Sequence, residues 1–267
     1  MPGRRRVEIK SEKRLLDDFF KIDEYSVSHE QYDGKMSADQ RRLNFERGDA
    51  VAVLLLNVDT RIGDLFNNPY DQVREQLRVT IESVKERQEN ELLNNAEYGL
   101  LNNVPDSQRI STRKGAPTPD DLDELLTKVW KEPSFFVAHP RAIAAFGREC
   151  TRRGVPPPTV TLFGNPFLTW RGIPLIPTDK VRIAGKVPKS RILLIRVGER
   201  KQGVIGLFQP GLTGEQSPGL SVRFTGINER GLASYLISLY CSASVLTDDA
   251  IASLDDVEVG QYHEYAK

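Results

Sequence analysis

The chain has 267 residues, of which 39% are hydrophobic and 28% charged, and its 37 basic groups balance 37 acidic ones. That composition suits one large globular domain or two small ones. It excludes nucleic acid or an acidic membrane as a partner held by bulk charge. No apolar run reaches the length of a bilayer, and the N-terminus has no apolar signal core, so no membrane partner is expected.

Residues 1–20 are polar and charged. They begin with a solvated basic run, Arg4, Arg5 and Arg6, and hold a small apolar cluster of Leu15, Leu16, Phe19 and Phe20. Strands are predicted over residues 25–30 and 42–47, with turn chemistry at residues 32–35 and a break at Gly48-Asp49. Residues 50–58, AVAVLLLNV, read as a continuous apolar strand buried on both faces. The chain ahead of residue 68 is therefore a β-hairpin followed by a buried strand.

Residues 68–95 form the longest predicted element, a single helix. Asn68 can cap it and Pro69 suits its first position. Val73, Leu77, Ile81, Val84, Leu92 and Ala96 recur at three- and four-residue spacing and make one apolar stripe. Arg78 with Glu82, Lys85 with Glu89 and Arg87 with Glu91 stand four apart on the other faces. At 1.5 Å per residue the helix would span about 40 Å, a length that braces an elongated subunit rather than lining a pocket.

A polar loop over residues 102–116 leads to a second helix, with Thr118 as its cap, Pro119 at its first position, Leu122, Leu125, Leu126, Val129 and Trp130 as its buried face and Pro133 as its end. Residues 135–137 are a short strand. Pro140 opens a third helix with Ala142, Ile143, Phe146 and Cys150 inward, and Gly154 stops it. Val155, Pro156, Pro157 and Pro158 form a stiff connector. Strands are predicted over residues 159–163, 167–170, 173–176, 192–197, 204–209 and 220–224, and residues 232–246 read as a long strand because serines alternate with apolar residues. A few helices with much antiparallel sheet make an α+β pattern.

Catalytic chemistry is not encoded in any recognisable constellation. His29, His139 and His263 share no ligand spacing with one another or with Cys150 and Cys241, and two distant cysteines point to a reducing compartment rather than a disulfide framework. Gly203 and Gly206 sit in an apolar strand, where close packing explains them better than a phosphate loop. Cys241 has no neighbouring base to activate it, and the acid pairs Asp248-Asp249 and Asp255-Asp256 read as solvated loop residues more readily than as cation ligands. The chain is expected to be no enzyme, with no cofactor and no metal.

From about residue 57 to the end, the sequence resembles the family 2A encapsulins, the shell proteins of bacterial nanocompartments. The likeness rests on DTRIGDLFNNPYDQ, LRVTIESVKERQE, GAPTPDDLDELLTKVWKEPSFF, HPRAIAAFGRE, RGVPPPTV, WRGIPLIPTDKV, KQGVIGLFQPGL, GEQSPGLSVRFTGIN, VLTDDAIASLDDV and the ending QYHEYAK. The resemblance implies the fold of tailed-phage major capsid proteins, with a spine helix over residues 69–95, a peripheral domain, an axial domain and an E-loop hairpin. It implies homo-oligomeric self-assembly into an icosahedral shell in the cytoplasm, enclosing a cysteine desulfurase cargo whose sulfur chemistry, with its pyridoxal phosphate, belongs to the cargo.

Residues 1–56 resemble instead the opening of a Nudix-type ADP-ribose pyrophosphatase, through FFKIDE, YDG and FERGDAVAVLL. The catalytic box is missing: Gly63 is followed six residues on by Pro69 rather than a glutamate, and no R-E-x-x-E-E cluster exists. The expected organisation is thus a Nudix-like segment, residues 1–56, ahead of a shell domain, residues 57–267. The hairpin either takes the place of the E-loop or forms a small sheet of its own with an exposed edge. With the family's interlacing arm replaced, assembly is expected to be weaker than usual. The alternatives to a shell subunit are an inactive Nudix-related protein and a phage capsid protein, which shares the fold but would need a DNA-binding interior that the neutral charge does not supply.

By analogy with the fold, Arg152, Arg153, Gly154, Val155, Pro156, Pro157 and Pro158 are expected to lie near a five-fold axis and to line a pore whose arginines attract anions. The competing reading is a surface loop with an arginine pair that complements the helix dipole.

Overall fold

The long helix is present as α1, Gln72–Asn94, about 35 Å of continuous helix. The structure, a computed structural model, describes residues 7–17, 21–29, 36, 40–46, 52–61 and 72–262. Several expectations lie outside those residues: the Asn68 cap and Pro69, the turn at 32–35, Gly48-Asp49, Arg4 to Arg6, Phe19, Phe20, Gly63 and His263.

The chain divides into two compact units, Met1–Val51 and Ala52–Lys267. The first contains three antiparallel strands in the order β1-β2-β3: β1 (Val7–Asp17), β2 (Lys21–His29) and β3 (Gln40–Glu46). Strands β2 and β3 are the predicted hairpin, in register from Lys21 opposite Glu46 to Val27 opposite Gln40. Strand β1 falls in the polar, charged segment for which no element is predicted, and two register shifts mark its pairing with β2.

The second unit holds two sheets. In the smaller, β4 (Ala52–Arg61), β11 (Val204–Phe208), β12 (Glu215–Ser217) and β13 (Leu220–Ile227) gather around β14 (Leu232–Val245). One edge of β14 pairs with β4 over residues 232–241, while the other edge pairs with β13 over residues 233–239 and then with β11 over residues 241–245. Residues 52–56, placed with the N-terminal segment on sequence, are therefore the start of a strand in this sheet. Burial along β4 alternates: Leu54, Leu56, Val58 and Thr60 turn inward, and Val53 and Leu55 are exposed. The expectation of burial on both faces is corrected, because α1 covers one face of this sheet.

The α1 stripe packs on that face. Val84 is fully buried among Val58, Leu220, Ile237 and Leu239, with Leu77 and Ile81 packed beside them. The stripe ends differently from the expectation, since Leu93 is buried and Ala96, past the end of the helix, is exposed. Of the predicted ion pairs, Arg78 meets Glu82 at 2.8 Å, whereas Glu91 accepts from the Asn95 amide at 2.7 Å. Asparagines end the helix: the Asn102 amide donates to the carbonyls of Asn94 and Asn95 at 3.2 and 2.9 Å, and the Asn95 side chain accepts from the backbone of Glu97 at 2.9 Å.

The larger sheet has seven strands in the order β5-β15-β10-β6-β9-β8-β7, namely β5 (Arg109–Ser111), β15 (Ile251–Glu258), β10 (Lys189–Ile195), β6 (Phe135–Ala138), β9 (Ile173–Pro177), β8 (Asn165–Trp170) and β7 (Thr159–Leu162). The β5/β15 and β6/β9 pairs are parallel, the others antiparallel. Helices α2 (Pro119–Lys128) and α3 (Pro140–Arg152) supply Leu122, Leu125, Ala142, Phe146 and Cys150 to a core completed by Phe136, Trp170, Leu175, Ile192, Leu194 and Leu254. Helix α2 opens with the expected cap. The Thr118 hydroxyl accepts from the Asp121 backbone at 3.2 Å, and the Asp121 carboxylate accepts from the Thr118 backbone at 2.9 Å. Trp130, assigned to the buried face of this helix, lies beyond its end and is 68% exposed.

Candidate functional site

The titratable residues weighed as chemistry are absorbed into structure. His139 caps α3, its Nδ1 accepting from the Arg141 backbone at 3.0 Å, and burial lowers its pKa. Burial raises the Cys150 thiol to about 11 and also raises Cys241, so neither is an activated nucleophile. Asp255 faces Arg191 at 3.4 Å and Arg109 at 3.6 Å, and Asp256 faces Lys189 at 3.2 Å. Among the described residues no group of three or more His, Cys, Asp or Glu is arranged to hold a metal, and no helix is long and apolar enough to cross a membrane. Of His29 only the backbone is described, in β2.

The loop singled out on sequence is built by the end of α3. Gly154 adopts φ +69°, its N–H donates to the Thr151 carbonyl at 3.0 Å, and the Val155 N–H donates to the Cys150 carbonyl at 3.0 Å. This is a Schellman termination, and the left-handed φ is what calls for glycine there. Glu149, nearly buried, accepts from Arg152 at 2.6 Å and also from Arg153. Two guanidinium charges share one carboxylate, which leaves a net single positive charge at this corner. Val155 is exposed, and the Pro158 carbonyl receives the Thr169 N–H at 2.8 Å, which fixes the exit of the connector.

The connector feeds the β7–β8 hairpin, whose turn is Phe163 (φ +51°) and Gly164 (φ +79°). Two positive φ values in a two-residue loop make a type I′ turn. The sequence reading took Phe163 as the last residue of a strand; it is the tip of the turn and is 94% exposed. The next turn repeats the geometry with Arg171 (φ +50°) and Gly172 (φ +83°). There the Arg171 guanidinium grips Asp123 through Nε and Nη2 at 3.0 and 2.8 Å and lies over the Trp170 ring, while Trp170 Nε1 donates to the same carboxylate at 2.7 Å. Hydrogen bonds from Arg171 and then Trp170 hold the Asp123 pKa below its usual range.

Sequence reasoning also missed the joint between the two sheets. Arg196 follows β10, and its side chain is 1% exposed. Its Nη2 donates to Asp249 at 2.7 Å and to the Thr247 hydroxyl at 3.0 Å, and longer bonds reach the carbonyls of Lys131, Gln202 and Asp249. Gly203 lies against this joint: a Cβ there would meet the Arg196 carbonyl oxygen at 2.4 Å, so the glycine serves close packing, as read from sequence. An arginine in an apolar strand was the available signal, since buried arginine needs several acceptors.

Among the described residues no catalytic constellation emerges, and the unspent features are surfaces. The SrpI-like family model, described as the type 2A encapsulin shell protein SrpI-like, matches residues 38–261. The chain is also 69% identical over 211 residues to the type 2A encapsulin shell protein SrpI of Synechococcus elongatus, a match covering 79% of this chain and 68% of that protein.

The chain belongs to the SrpI-like family of type 2A encapsulin shell proteins.

It is accordingly a structural shell protein and not an enzyme. The cryo-EM structure of the holo-SrpI encapsulin complex from Synechococcus elongatus is similar at a TM-score of 0.78 and 56% identity, over 94% of this chain and 87% of that one. A match of that extent is longer than the second unit alone and so takes in residues of the first. The capsid protein of a native GTA particle is similar in fold alone, with a TM-score of 0.54 at 10% identity over 95% of this chain and 84% of that one. The α+β capsid fold expected from sequence is thus the fold of this encapsulin, with α1 as its spine helix.

Proposed function

We propose that copies of this chain self-assemble into an icosahedral encapsulin nanocompartment in the cytoplasm, with a cysteine desulfurase as cargo and a role in sulfur metabolism. The observation that carries the reading is the 69% identity to a type 2A encapsulin shell protein, on a chain whose His139 caps a helix and whose Cys150 and Cys241 are buried. The desulfurase assignment rests on the family resemblance, and the chain needs no cofactor of its own. The test is expression with and without a cysteine desulfurase, read by size-exclusion chromatography and negative-stain microscopy. Closed particles that retain the pyridoxal absorbance of the desulfurase are expected. Chains that stay monomeric or dimeric at high concentration would refute the shell, and empty particles in the presence of the desulfurase would refute the cargo.

Within that reading, the three strands of the first unit take the role of the E-loop, and the Nudix-like residues 1–56 contribute no pyrophosphatase activity. Their charged start offers little apolar area for interlacing, so assembly is weaker than in a chimera that carries a family arm and E-loop in place of residues 1–56. Equal heat resistance of the two shells would overturn this. Arg152, Arg153, Gly154, Val155, Pro156, Pro157 and Pro158 form a pore rim whose anion attraction is tempered by Glu149. A map of the assembled shell with Pro157 far from every symmetry axis would rule the pore out.

A further inference from the structure

Five non-glycine residues among those described adopt a positive φ: Glu132, Phe163, Arg171, Gln202 and Asp256. Such a backbone is unfavourable for any side chain with a Cβ and is more so for a bulky one. Four of the five have an offset within the chain. Glu132 pairs with Lys201 at 2.8 Å, Arg171 grips Asp123, Asp256 pairs with Lys189, and the Gln202 carbonyl accepts from the buried Arg196 and from Thr247. Phe163 is the apolar member of the set. Its carbonyl receives only a long 3.4 Å bond from the Asn165 amide, and its ring, 94% exposed, makes no aromatic or cation contact among the described residues. The contrast with Arg171 is direct, since it occupies the same position of the same turn type one hairpin later.

The hairpin holds the backbone that carries that ring in place. Strand β7 is the end strand of the seven-stranded sheet, paired with β8 from Thr159 opposite Leu168 to Leu162 opposite Asn165. Its root is fixed by three consecutive prolines and by the two bonds from Thr169 to the Pro158 carbonyl. A preorganised aromatic loses little conformational freedom on docking, which makes it an effective anchor. We infer that Phe163 is an assembly knob: the tip of the β7–β8 hairpin packs against a second copy of this chain in the shell. A second copy is the fitting occupant because a shell protein meets its own kind on several sides. A knob on one copy seated on a different patch of the next is a heterologous contact, the type that closes rings.

The inference rests on the shell reading above. The test is full-length Phe163→Gly and Phe163→Tyr beside the unsubstituted chain, each followed by light scattering for the critical concentration of assembly and by near-UV circular dichroism for the fold. Glycine accepts the turn geometry without strain, so the subunit stays folded. Its critical concentration is expected to rise at least about tenfold, the scale set by losing one buried aromatic. Tyrosine keeps the ring and is expected to stay within about twofold. An unchanged critical concentration for Phe163→Gly, beside intact particles from the unsubstituted chain, would overturn the knob alone. A loss of near-UV signal in Phe163→Gly would overturn it in favour of a folding role. Absence of particles from the unsubstituted chain would instead overturn the shell reading and the knob with it.

Discussion

Replacing Asp249 with alanine is expected to destabilise the subunit by about 3 kcal/mol. The guanidinium of Arg196 is 1% exposed, and Asp249 is the carboxylate nearest to it, at 2.7 Å. Breaking a fully buried pair by removing one member costs about 3–5 kcal/mol, because the survivor is left charged and unpaired. The lower end applies because the Asp249 side chain keeps about a quarter of its surface in water. The reverse change, Arg196→Met, removes the buried charge itself. It leaves Asp249 with Lys131 at 3.2 Å and gives up carbonyl bonds that are already long, at 3.3–3.4 Å. Its cost is expected to be about 1–2 kcal/mol. Thermal unfolding of the dissociated subunit reads both, since 1 kcal/mol shifts the midpoint of a domain of this size by about 2–4 °C. The order of the two variants is the decisive observation. If Arg196→Met is as damaging as Asp249→Ala, the account of a stranded charge is wrong. Acid adds a second check. Hydrogen bonds from Arg196, then Thr247 and Lys131, hold the Asp249 pKa far below the ordinary carboxylate range. A depressed folded-state pKa stabilises fully above the unfolded value, near 4, and the contribution fades as pH falls below it. Asp249→Ala should therefore show a shallower loss of stability below pH 4 than the unsubstituted chain.

Leu93→Ala is expected to cost about 2–4 kcal/mol while Ala96→Ser is neutral, because Leu93 is buried and Ala96 is not; equal effects in thermal melts would restore the stripe read from sequence. Thr118→Ala removes one half of a reciprocal cap on α2 and should cost about 1–2 kcal/mol in the same assay, with Thr118→Ser recovering most of it. Gly203→Ala forces a Cβ to within 2.4 Å of the Arg196 carbonyl oxygen and should lower the midpoint by several degrees, whereas Gly206→Ala, which would meet only the Phe208 ring at 3.4 Å, should be milder.

Elements with a local signature were legible in the sequence. Helix α2 announces itself through Thr118, Pro119 and two aspartates, and β14 through serines alternating with apolar residues over fourteen positions. Strand β15 was not legible because Asp255 and Asp256 imitate a loop. They are tolerated in a strand because Arg109, Arg191 and Lys189 arrive from distant parts of the chain. Trp130 was placed on an apolar helical face by spacing alone, and the helix ends before it. The two-sided burial expected for residues 50–58 failed for a similar reason: composition records that a strand is apolar, while the single covering helix decides how many faces are covered. Phe163 went unnoticed because a Phe-Gly pair is a weak turn signal beside Asn-Gly, and only the dihedral angles set it apart. The family was legible from long sequence runs, yet no run tells which surface meets which copy.

Strand β4 finds its partner late in synthesis. Arg61 lies opposite Leu232 in the small sheet, so 171 residues must be made after residue 61 before the first of these pairs can form. At about 5–20 residues per second the wait is about 10–30 s, during which the edge of β4 and the exposed Val53 and Leu55 have no sheet to join. Every ribosome between residues 61 and 232 of the message therefore carries an unpaired ribbon, and neighbouring ribosomes on one transcript carry identical ones. For a shell protein the order of events matters: intrachain closure of β14 over β4 has to outrun strand exchange between nascent copies, and a chain cut short before residue 232 could never complete it.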